Sequence, residues 1–147
     1  MKQVLDFART SGKDNFRTTK WIAVICVEMQ ILFHEQHGKR IAEIKANDII
    51  IHSAEDGLEL LGNLYYQQAD AIVLYKENIT PEFFDLKNGI AGELLQKFSN
   101  YRMRLVIVGD FSGLTKQSIR DFIYESNNGK LVNFLATIKE TLERLEK

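Results

Sequence analysis

Two short segments carry the side chains best suited to chemistry. One is Glu77-Asn78 with Thr80, Phe83, Phe84 and Asp85, and the other is Gly109-Asp110-Phe111-Ser112-Gly113. Each directly follows a continuous apolar, β-branched run, residues 71–75 and 105–108. Ligands of open α/β sheets bind beyond the carboxyl ends of the strands, so these corners are where a site is sought. If the two runs are neighbouring strands, Glu77 and Asp110 face one another. Paired carboxylates there suit a divalent cation or acid/base work. The plainer reading is that Glu77, Asp85 and Asp110 solvate loop ends and cap helices, and it is the favoured one.

Other constellations are weaker. Gly109-x-x-x-Gly113 with Lys116 is a poor phosphate loop, because the Gly-Lys-Ser/Thr ending is missing and Asp110 would repel an anion. His34, His37 and His52 lack a cysteine or third histidine at ligand spacing, so they read as turn and strand residues, and no metal is expected. Ser112, Thr115 and Ser118 have no local base, and capping accounts for the first two. Lys97, Arg102 and Arg104 beside Phe98 and Tyr101 read as a basic helix end, not a nucleic-acid patch. On a helix, Arg120 and Tyr124 lie four apart, as do Asp121 and Glu125, bordering a recognition or merely solvated face. Phe83 and Phe84 are adjacent, so one of them is expected to stay partly exposed beside the corner.

These residues need a scaffold to position them. The chain has 147 residues, 45% hydrophobic and 27% charged, with a net charge of −1. That suits one globular domain and supplies no global field for nucleic acid or anionic lipid. No apolar stretch reaches the roughly 18–20 residues of a membrane span. The single cysteine, Cys26, sits in an apolar run and makes no intramolecular disulfide, which points to the cytoplasm. Asp6 and Asp14 spoil a basic signal-peptide start. Neither membrane nor cofactor is expected.

From residue 29 onward, apolar runs alternate with helix-period stretches. Residues 31–35 and 40–44 flank His37-Gly38 as a hairpin. Residues 47–52 read as an edge strand or an extension of its second arm. Ser53 opens a helix with Leu58, Leu61, Leu64 and Tyr65 on its inner face. Thr80-Pro81-Glu82 starts a second helix reaching Phe98, with a break near Asn88-Gly89. A third runs over 112–126 with Leu114, Ile119, Phe122 and Ile123 inward, and stops at Asn127-Asn128-Gly129. Residues 131–135 form the last strand, and Thr137 caps the final helix, 138–146. The order β-β-α-β-α-β-α-β-α gives an α/β fold whose mixed sheet opens with a β-hairpin. Residues 29–147 make that single domain. Residues 1–28, with five basic residues and room for a short helix near Gln3–Arg9, form a non-native or optional extension, with Met29 as a candidate natural start.

The segments IAEI (41–44), ITPEFFDLKNGIAGELLQKFSNYRMRLVIVGDFS (79–112) and SIRDFIYESNNG (118–129) resemble an uncharacterised bacterial family, domain of unknown function 4180, over roughly residues 29–147. The resemblance implies no particular chemistry. The order of elements also looks like that of STAS domains, which bind partner proteins and are often switched by phosphorylation at a strand-to-helix corner. The STAS Asp-Ser-Ser/Thr-Gly motif is absent here, and Thr80 is committed to capping. The expected function is therefore a protein-binding or regulatory module working through the 77–88 corner and the 110–124 region. Its alternatives are an enzyme using the corner carboxylates and a self-associating chain.

Overall fold

His37 and Gly38 both take positive φ, 51° and 77°. That is the backbone of a two-residue hairpin turn whose twist matches that of its strands. The computed structural model describes residues 2–6 and 29–145. In it, strand β1 (Lys2–Asp6) pairs antiparallel with β2 (Met29–Gln36), which the His37-Gly38 turn joins to β3 (Lys39–Ala46). Parallel strands β4 (Ala71–Tyr75), β5 (Arg104–Val108) and β6 (Val132–Leu135) follow, and the sheet order is simply β1-β2-β3-β4-β5-β6. The expected element order over residues 29–145 is the observed one.

Helices α1 (Ala54–Tyr66), α2 (Ile90–Asn100) and α3 (Gln117–Asn128) make the three crossovers, and α4 (Ile138–Leu145) follows β6. Parallel crossovers are right-handed, so a sheet that adds each strand on the same side sends all of them to one face. Accordingly Leu61, Leu64, Leu94, Phe98 and Ile119 join Ile31, Phe33, Ile44, Ile72 and Ile107 in one large core. The opposite face holds a smaller cluster, Ile41, Val73, Val106, Val108 and Leu135, against Leu145 of α4.

Several expectations are corrected. Residues 47–52 form no strand of their own; Ile51 makes one isolated parallel bridge to Ile79. Helix α1 faces inward with Gly57, Leu60, Leu61 and Leu64, while Tyr65 is exposed and packs edge-to-face on Tyr101 at 5.3 Å. Gly57 is inward because α1 and α2 meet there: a Cβ on it would lie 2.2 Å from Leu94 Cδ1. Thr80-Pro81-Glu82 opens a 3-10 turn over residues 81–84, not an α-helix. A second 3-10 turn spans 86–88, and α2 begins only after Gly89 at φ 81°. The anticipated break at Asn88-Gly89 is therefore present. Helix α3 starts at Gln117, five residues later than expected, because Asp110 draws Ser112 into a local turn. Residues 2–6 are a strand and not part of a helix. Cys26 and the rest of the extension, residues 7–28, lie outside the described residues.

Candidate functional site

Tyr75, Val108 and Leu135 end their strands side by side, since Tyr75 pairs with Val108 and Val108 with Leu135. The segments leaving them therefore converge on one rim. A crevice of about 550 Å³ opens there, with Lys76, Glu77 and Asp110 around apolar Ile79, Pro81 and Val108. Gly109 permits the approach of the two exits: a Cβ on it would fall 2.6 Å from Lys76 Cβ. The Lys76 ammonium donates to the Asp110 carbonyl at 2.8 Å and lies 5.8 Å from the Phe111 ring centroid.

Most polar side chains at this rim hold backbone in place. Asp110 Oδ1 accepts from the Ser112 hydroxyl at 2.7 Å and from its amide at 3.0 Å. Those two bonds, with some help from the Lys76 charge, hold the Asp110 carboxyl below its usual range. Ser112 thus partners Asp110 and does not cap α3. Asn78 is buried; its amide donates to the Ala46 and Asp48 carbonyls, and its own carbonyl accepts from the Ile50 and Ile51 amides. Thr80 Oγ1 accepts from the Glu82 amide, and Asp85 Oδ1 from the Lys87 amide. Asp85 does not line the crevice that Glu77 and Asp110 share.

Phe83 and Phe84 are both buried, contrary to the expected split, at 0% and 7% exposure. The 3-10 turn and a stack of further rings make this possible. Phe84 lies 6.0 Å from Phe111, which lies 5.4 Å from Phe134, itself 6.0 Å from Phe122. These rings brace the rim from below. Arg120 and Tyr124 are exposed on α3 and do not line the crevice.

A second polar constellation was missed in the sequence. On the face covered by α4, His34 Nε2 lies 2.8 Å from Glu43 Oε1, and the Tyr75 hydroxyl donates to Glu43 Oε2. His34 and Glu43 are 7% and 3% exposed. Burial and the hydrogen bond to Glu43 push the Tyr75 hydroxyl well above its usual pKa. The hairpin register held the signal: His34 pairs with Ile41, so Glu43, two residues on, is its diagonal neighbour on the same face. Tyr75 needed the parallel register as well. Among the described residues no group of three or more His, Cys, Asp or Glu side chains is arranged to hold a metal ion. Nor is any helix among them long and apolar enough to cross a membrane.

Fold and site together define a small mixed α/β domain with a crevice at the carboxyl ends of its parallel strands. The chain belongs to the family described as domain of unknown function 4180 (DUF4180), whose sequence profile matches residues 36–145. No curated protein and no solved structure matches it.

Proposed function

We propose that this chain is a cytoplasmic recognition module of STAS-like architecture that binds a partner protein through its strand-end rim. The observation that carries the reading is the crevice itself. Charged Lys76, Glu77 and Asp110 surround apolar Ile79, Pro81 and Val108, a mixture suited to clasping a partner segment. The order of elements supports the STAS likeness as an analogy of architecture. Asp110 and Asp85 are spent on turn amides, which disfavours the alternative of an enzyme built on the corner carboxylates.

Charge reversal tests this. Lys76→Glu with Glu77→Lys keeps the fold's core intact while inverting the rim. Affinity capture with the full chain is expected to recover a partner whose cross-links map to residues 76–81 and 109–110, and the reversed rim is expected to lose it. Equal capture by both chains, or cross-links confined to other surfaces, would overturn the reading. Light scattering on the full chain and on a chain starting at Met29 separates partner binding from self-association.

A further inference from the structure

We propose a second site on the α4-covered face of the sheet, sharing only Tyr75 with the lining of the rim crevice and built for a small apolar-bodied molecule that carries a hydrogen-bond-donating head. Its place is a cavity of about 390 Å³, a size suited to a small organic ligand. Leu32, Ile138 and Leu142 supply apolar wall, His34, Glu43 and Tyr75 supply a polar one, and exposed Glu35 and Lys45 also line it with opposite charges.

Nothing in the fold demands that polar wall. The neighbouring positions on this face, Ile41, Val73 and Val106, are apolar and pack without difficulty. Burying a carboxylate and an imidazole costs free energy that apolar residues of similar volume avoid. The hydrogen bonds also leave the cluster with a direction. Glu43 spends one oxygen on Tyr75 and the other on His34. A carboxylate only accepts, so His34 Nε2 carries the hydrogen of their bond. Gln36, also on the wall, has a buried Oε1 with no hydrogen-bond partner. An unpartnered acceptor beside apolar wall suits a donor on an apolar body: a hydroxyl or an amine.

The test is NMR titration of the full chain with phenol, benzylamine and benzoate at about 1–10 mM, the range expected of such fragments. Phenol or benzylamine is expected to shift the His34 imidazole and the Ile138 and Leu142 methyl signals, with Gly109 and Asp110 unmoved. Leu142→Phe, which fills the cavity from α4 without touching the cluster, should abolish the shifts. Gln36→Leu, which removes the unpartnered acceptor, should weaken binding at least about tenfold, the value of one good hydrogen bond. Preference for benzoate, shifts centred on the rim, no response to any probe, or undiminished shifts in Leu142→Phe would each overturn the site.

Discussion

The two faces of this one sheet are built differently. Toward α1, α2 and α3, the alternate strand positions Ile31, Phe33, Ala42, Ile44, Ile72, Leu74, Leu105 and Ile107 are all buried and apolar, and the exception is the Glu35–Arg40 pair at the hairpin end, where Arg40 lies over the Phe33 ring. Toward α4, the alternation offers Leu32, His34, Glu43, Lys45, Tyr75, Arg104 and Asn133 among its valines. Strand order explains the contrast. Successive right-handed crossovers deposit three helices on one side and leave the other to a single short one. The first face carries the stability; the second has room for polar groups and a cavity. The difference teaches that an apolar alternation broken by buried polar groups, as at His34 and Glu43, is a pointer to function, whereas a charged pair at a hairpin end is not.

The largest effect should come from the first face. Phe98→Ala, at a fully buried ring, is expected to cost about 3–5 kcal/mol in urea unfolding, whereas half-buried Leu142→Ala costs about 1 kcal/mol. Equal losses would erase the contrast. Next comes the polar row. Glu43→Ala strands His34 and Tyr75 and should cost about 2–4 kcal/mol, while His34→Leu combined with Glu43→Leu should be neutral or stabilising. A large loss in the double variant would make the row structural.

At the rim, Gly109→Ala forces a Cβ against Lys76 and should cost about 1–3 kcal/mol, read from the same unfolding curves. The smallest effect is a slope. Tyr75 titrates higher folded than unfolded, so its contribution to stability is intact below about pH 10, the unfolded tyrosine value, and is lost as pH rises above it. Tyr75→Phe should flatten that alkaline decline. An unchanged slope would show that Tyr75 is not shielded by its place beside Glu43.

Local chemistry was enough to write down most of this fold. The His37-Gly38 turn, the doubly covered runs 71–75 and 105–108, the Ser53 cap and the order of elements all follow from short-range rules: positive φ, β-branching, side-chain-to-amide bonding. So did the convergence of Glu77 and Asp110 on one rim, because parallel neighbours end together. Tertiary structure decided what spacing could not. Phe84 is buried because Phe111, distant in sequence, arrives beside it. Helix α3 starts late because Asp110 competes for Ser112. His34, Glu43 and Tyr75 became one cluster only when three strands took up their registers, since a hydrogen bond between residues 32 positions apart depends on pairing that no local pattern encodes.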